Sequence, residues 1–325
     1  MIKILNQSEK DLINKGRVSY TKRLYKDALK YLSEAINMNN SNPSTFNERG
    51  KVYQRLKMNN QALADYDKAI ELDGNFAEAF KNRGDIKNKF KEFKLAIEDY
   101  SMAIYLNSSL VNAYNNRGLA KKMINDLDGA LSDFTTAINL KPNFTSPYCN
   151  RGLIKDMKGD LEGAINDYTK AINLNPKFST AFNNRGIAHE KLKEYKLAIS
   201  DYTNAIKINK RFANAYSNRA IARIEIKDFE LALEDLNKAI EISPKFAMPY
   251  LNRGVFKTEI LKKYDDALLD FDKAIELNSK YSIAYYQRSL VKKGLGDING
   301  FEKDIKYAAS FGHKKSIEIV KKEFE

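Results

Sequence analysis

The stretch TSPYCNRGLIKDMKGDLEGAINDYTKAINLNPKF, residues 145–178, runs directly into STAFNNRGIAHEKLKEYKLAISDYTNAIKINKRF, residues 179–212. The two align end to end. Asn-Arg-Gly stands at 150–152 and 184–186, Asp-Tyr-Thr at 167–169 and 201–203, and Ala-Ile at 171–172 and 205–206. Followed in both directions, the frame holds: Arg49, Arg83, Arg117, Arg151, Arg185, Arg219 and Arg253 are each 34 residues apart, and Arg288 follows after 35. Self-similarity at such a period marks a stack of like supersecondary units, each burying its apolar face against its neighbours.

With the arginine set at position 7, the units span 9–42, 43–76, 77–110, 111–144, 145–178, 179–212, 213–246, 247–281 and a degenerate 282–315, after an N-terminal lead of 1–8. Position 8 is Gly16, Gly50, Gly84, Gly118, Gly152, Gly186 and Gly254, with Ala220 and Ser289 as exceptions; position 27 is alanine throughout, from Ala35 to Ala308. Position 24 is mostly a ring, as in Tyr66, Tyr100, Phe134, Tyr168, Tyr202 and Phe271. A glycine inside a helix costs about 1 kcal/mol relative to alanine, so glycines in one phase imply close contact between two antiparallel helices. Proline at position 32, as in Pro142, Pro176 and Pro244, ends the second helix.

This pattern resembles the tetratricopeptide repeat, with its small residues, ring and closing proline in register; the Asn-Arg-Gly runs mark an NRG-type variant. The resemblance covers about residues 9 to 315. Three features depart from the family pattern. Phe46, Phe80, Tyr114, Tyr148, Phe182, Tyr216, Tyr250 and Tyr285 replace its tryptophan, arginine replaces leucine at position 7, and the tyrosine of position 11 survives only as Tyr53. The resemblance implies an all-α, right-handed superhelical solenoid of antiparallel helix pairs, about nine repeats closed by a C-terminal capping helix at 313–325. On that helix Ile317, Val320 and Phe324 share one face. The extra residue of repeat eight is expected as a loop change near Leu261 to Tyr264.

Composition narrows the class of function. One cysteine, Cys149, excludes a disulfide framework and fits a reducing compartment. The beginning Met1-Ile-Lys-Ile-Leu-Asn-Gln carries no signal-peptide core, and no apolar run reaches a membrane span, so a cytoplasmic protein is expected. The only histidines, His189 and His313, lie far apart, and neither a phosphate-binding glycine loop nor a metal-spaced Cys/His cluster occurs; no enzyme and no cofactor are expected.

Position 7 pairs in phase with aspartate at position 23: Asp65, Asp99, Asp133, Asp167, Asp201, Asp235, Asp270 and Asp304. An internal Arg–Asp ladder follows in preference to a phosphate-binding column. Position 6 is Asn82, Asn116, Asn150, Asn184, Asn218 and Asn252, and Asn115 and Asn183 precede it at position 5. In tetratricopeptide repeats such asparagines face the concave surface and hold extended peptides by their main chain; the resemblance implies that role here. The residues alone leave a second possibility, amides that bridge adjacent first helices.

Beside them run Leu119, Leu153, Ile187 and Ile221 at position 9, joined by Met123, Met157 and Cys149. This is either a peptide-binding stripe or packing between repeats. Early repeats add Lys51, Arg55, Lys81 and Lys89 and late ones Glu225 and Glu259, which suggests an extended ligand with an acidic and a basic end. No repeat carries the lysine-5, asparagine-9 pair by which related domains clamp chaperone tails. The expected partner is a segment of another protein, with the chain itself a monomer or weak homo-oligomer.

Net charge of +13 raises nucleic-acid binding as the rival. Lys87, Lys121, Lys155, Arg223 and Lys257 at position 11 would form its outer basic stripe. The absence of a base-reading code of aligned side chains disfavours it.

Overall fold

Each 34-residue period folds as two helices because its apolar positions recur at helical spacing on both sides of a short polar turn. The structure is a computed structural model that describes residues 7–323. The lead segment therefore lies largely outside the described residues, as does Phe324 of the capping helix.

The chain divides into two compact units, residues 1–160 and 161–325. The first contains α1 (Gln7–Thr21), α2 (Tyr25–Met38), α3 (Pro43–Arg55), α4 (Asn59–Leu72), α5 (Ala77–Lys89), α6 (Phe93–Leu106), α7 (Val111–Met123), α8 (Leu127–Leu140) and α9 (Thr145–Met157). The second contains α10 (Leu161–Leu174), α11 (Ser179–Lys191), α12 (Tyr195–Ile208), α13 (Ala213–Glu225), α14 (Phe229–Ile242), α15 (Ala247–Phe256), α16 (Tyr264–Leu277), α17 (Ser282–Gly294), α18 (Ile298–Ser310) and α19 (Lys314–Glu323). No strand occurs among the described residues. Within each unit every helix packs on the next, and first helices of successive repeats also touch, as α3 does α5 and α11 does α13.

The glycines at position 8 are explained by what faces them. A Cβ built on Gly50, Gly118, Gly186 or Gly254 would lie 2.6, 2.8, 2.7 or 2.6 Å from the ring of Tyr66, Phe134, Tyr202 or Phe271. These rings are fully buried. Where repeat seven has Ala220 instead, position 24 is Leu236, and the two share one core cluster; repeat nine combines Ser289 with Ile305, both buried. A smaller partner at position 24 makes room for a Cβ at position 8.

The turn between the helices of a repeat depends on one left-handed residue. It is Arg23, Lys57, Lys91, Asn125, Gly159, Lys193, Lys227, Lys262 and Gly296 in successive repeats, with φ of 63, 62, 65, 64, 85, 60, 63, 56 and 83°. Side chains other than glycine and asparagine pay for this conformation in strain.

Repeat eight departs from the expected loop change. Its extra residue is taken up inside the first helix, where α15 continues as a π-helical turn over Lys257–Leu261 before the left-handed Lys262. One added residue in a helix widens the hydrogen-bonded ring from i→i−4 to i→i−5, which leaves the following helix in register.

Candidate functional site

The Arg–Asp ladder forms as its spacing predicts. In repeats two, three, four, six, seven, eight and nine the guanidinium grips its own repeat's position-23 aspartate with two parallel bonds, for example Arg117 Nε to Asp133 Oδ2 at 2.9 Å and Nη2 to Oδ1 at 2.7 Å. The third nitrogen reaches the preceding repeat: Arg117 Nη1 donates to Ser101 at 3.0 Å, Arg219 Nη1 to Thr203 at 3.0 Å and Arg253 Nη1 to Asn237 at 2.7 Å. Its flat face lies over the position-4 ring, as with Arg83 and Phe80 at 5.3 Å. The arginine is thus consumed in joining three helices, and a phosphate-binding column is ruled out at these positions.

The same aspartates overturn the outer basic stripe. Lys87, Lys121, Lys257 and Lys292 lie 2.8, 2.9, 2.8 and 2.9 Å from Asp99, Asp133, Asp270 and Asp304, and Arg223 Nη1 is 2.5 Å from Asp235. Position 11 therefore folds back onto the aspartate that position 7 already holds, one helical turn away. Each of these five carboxylates serves two cations. Repeat two lacks the second cation, having Tyr53 there, and burial pushes the Asp65 carboxyl above its ordinary value against the hydrogen bond and charge of Arg49.

The position-6 amides bridge first helices. Asn82 Nδ2 donates to Asn47 at 2.8 Å, Asn116 to Asp85 at 2.9 Å, Asn150 to Asn115 at 3.0 Å, Asn218 to Asn183 at 3.2 Å and Asn252 to the Ser217 hydroxyl at 3.0 Å. In the first unit these bonds extend into a network: Asn115 donates to Asn116 at 3.0 Å, and Asp85 also accepts from Tyr100 at 2.9 Å and pairs with Lys81 at 2.9 Å. Asn82, Asn115 and Asn183 are only 4, 6 and 5% exposed, so they brace the helices and are withdrawn from the surface where a ligand would meet them. Asn116 spends its donor on Asp85 and its acceptor on Asn115. Asn184 accepts from Asn183 at 3.4 Å. The carbonyl oxygens of Asn150, Asn218 and Asn252 receive no hydrogen bond among the described residues and stand on half-buried side chains.

The apolar positions are present in part within each unit. Leu119 and Leu153 in the first and Ile187 and Ile221 in the second are half-buried, and Leu119 and Ile187 also pack against the cores beneath them. Met123 and Met157 are 56 and 51% exposed. Cys149, by contrast, is buried and does not reach the surface.

The basic end expected of the ligand-binding face is much reduced. Lys51 pairs with Glu48 at 2.7 Å and Lys81 with Asp85, while Lys89 donates to Asn59 at 3.1 Å and Arg55 to the Tyr20 hydroxyl at 3.0 Å. Among the described residues no three His, Cys, Asp or Glu side chains gather as a metal site, and no helix is long and apolar enough to cross a membrane.

Models of the tetratricopeptide repeat match residues 43–76, 179–212 and 213–246, coincident with repeats two, six and seven, and a TPR repeat model matches residues 157–193. No curated protein matches the chain significantly. Among solved structures, a tetratricopeptide repeat protein from Parabacteroides merdae is 20% identical at a TM-score of 0.55, over 88% of this chain and 99% of that one. A Pseudomonas aeruginosa pilF structure is 20% identical at a TM-score of 0.57, over 64% and 94%. YrrB, described as a TPR protein with an unusual peptide-binding site, is 22% identical at a TM-score of 0.49, over 57% and 95%. The first two share the fold. With repeat models in phase with the arginine period and helix pairs closed on the glycine–ring contact, the chain is a tetratricopeptide repeat protein.

Proposed function

We propose that this chain is a non-catalytic interaction scaffold that holds an extended segment of another protein along the first-helix faces of the repeats within a unit. The observation that carries this reading is the unspent carbonyl of Asn150, Asn218 and Asn252, each held in place by a bond from its own amide nitrogen to the repeat before. An oxygen so fixed is ready to accept a main-chain N–H without paying to order its side chain. The half-buried Leu119, Leu153, Ile187 and Ile221 and the exposed Met123 and Met157 supply the apolar contact alongside.

Such a site binds with moderate affinity. Each hydrogen bond contributes about 1 kcal/mol net, and ordering a flexible peptide costs about 1 to 2 kcal/mol per residue, so apolar side chains must provide the surplus. The ion pairing of position 11 leaves the nucleic-acid alternative without its stripe.

Selection of linear peptides from a random display library on the full chain tests the reading. Enriched peptides should bind wild type and lose affinity to a variant carrying Asn150→Ala, Asn218→Ala and Asn252→Ala that keeps the wild-type circular dichroism spectrum. Failure to enrich any peptide, or equal binding to both proteins, would refute it.

A further inference from the structure

In the second unit a cleft opens between repeats eight and nine, lined by Thr258, Glu259, Tyr264, Gln287, Leu290 and Gly294 with Val291 and Leu295. Its origin can be followed through the repeat. In repeats three and seven position 13 meets the first residue of the preceding repeat's second helix: Lys89 donates to Asn59 at 3.1 Å, and Glu225 faces Tyr195, whose phenol is raised by desolvation and then by that carboxylate. Repeat nine has Gly294 at this position. A Cβ there would meet nothing within 4 Å. Tyr264 is 40% exposed and lines the cleft, with no side chain at position 13 of the next repeat to cover it.

The π-helical turn contributes the other wall. It places Thr258 and Glu259 at the cleft, and the Thr258 hydroxyl is tied to the Gly254 carbonyl at 2.9 Å. Glu259 has no cation paired to it among the described residues, in a chain of net charge +13 whose aspartates at position 23 mostly hold two cations each. Two cations near the cleft are engaged elsewhere. Lys257 pairs with Asp270 at 2.8 Å, and Lys293 lies over the Phe301 ring at 4.4 Å and 3.8 Å from Glu323.

We infer that this cleft is a receptor for an arginine side chain of the bound segment, its guanidinium placed between the Tyr264 ring and the Glu259 carboxylate and its methylenes on Leu290 and Leu295. A planar cation that stacks on an aromatic face and offers a fork of N–H donors to a carboxylate matches the three kinds of surface present. Gln287, the position-6 residue of repeat nine, adds an amide for the main chain beside it. The inference rests on the proposed peptide-binding role of the first-helix face and assigns that ligand a basic residue at one place.

The test titrates N-acetyl-arginine amide into full-length chain with labelled leucine and valine methyl groups. Saturable shifts of Leu290, Val291 and Leu295 are expected, with binding about three- to fivefold weaker in Glu259→Gln, the range for an exposed ion pair. Gly294→Leu, which fills open space in a helix and so keeps the fold, should abolish them. No saturable shift in wild type, the same shift from N-acetyl-citrulline amide, or the same affinity for N-acetyl-lysine amide would overturn the assignment. The probe has no peptide chain, so its failure would leave the peptide-selection result standing, and a failed selection would leave these shifts standing.

Discussion

Gly118→Ala is the sharpest perturbation of the packing that generates the fold. The new methyl group would lie 2.8, 3.0 and 3.1 Å from Cε1, Cζ and Cδ1 of Phe134, a fully buried ring that has no solvent to move into. Overpacking of this kind costs about 1–3 kcal/mol, and replacing glycine in a helix returns about 1 kcal/mol, so a net loss of up to about 2 kcal/mol is expected. The same substitution in a background of Phe134→Leu reproduces the Ala220 and Leu236 pair of repeat seven. There the clash is gone and only the propensity gain remains, so the double-mutant cycle should show favourable coupling of about 1–3 kcal/mol. Because a repeat array need not unfold as one cooperative block, the assay is native-state hydrogen exchange read at the amides of α7 and α8. Gly294→Ala, whose Cβ meets open space, is the internal control and should stabilise by up to about 1 kcal/mol. A stabilising Gly118→Ala, or additive behaviour in the cycle, would refute the argument.

Asp133→Asn should cost about 3 kcal/mol, because it strands the partly buried Arg117 and Lys121 together. Asp65→Asn, which strands Arg49 alone, should cost about half as much in the same chemical denaturation measurement. Lys193→Gly relieves a side chain at φ 60° and should stabilise the turn before α12 by about 0.5–1 kcal/mol, seen as a higher urea midpoint. The N-terminus of α19 is capped by neutral His313, whose Nδ1 accepts from the Ser316 amide at 3.3 Å. Desolvation, then Lys315, lowers this imidazole below its ordinary 6.5. Its contribution is therefore complete above pH 6.5 and lost as the pH falls below the depressed folded value, so α19 amides should exchange faster at acidic pH in wild type and without that pH dependence in His313→Asn.

The helix pairs and the ladder were legible because both are repeated. Arginine at position 7 and aspartate at position 23 vary together down the chain, and Gly118 faces a ring for the same reason that Ala220 faces Leu236. The fate of the asparagines was not legible. An amide can bridge helices or face a ligand with the same residue at the same position, and only the distance from Asn150 to Asn115 and the burial of Asn82, Asn115 and Asn183 separate the two. Position 11 looked like an outer stripe because sequence spacing places Lys121 one turn from Arg117 without showing that its flexible stem curls back to Asp133. The left-handed turn was not legible because it is occupied mostly by lysine, which carries no turn signal, nor was the π-turn of repeat eight, because an inserted residue has the same sequence signature in a loop as in a helix.

Whether the first-helix faces hold an extended segment of a partner is tested most directly by photo-crosslinking of a display-selected peptide carrying a benzophenone, with adducts located by mass spectrometry. Adducts on Leu119, Met123, Leu153, Met157, Ile187 and Ile221 are the predicted result, whereas adducts on exposed second-helix residues such as Leu95, Leu197 and Leu269 would contradict it.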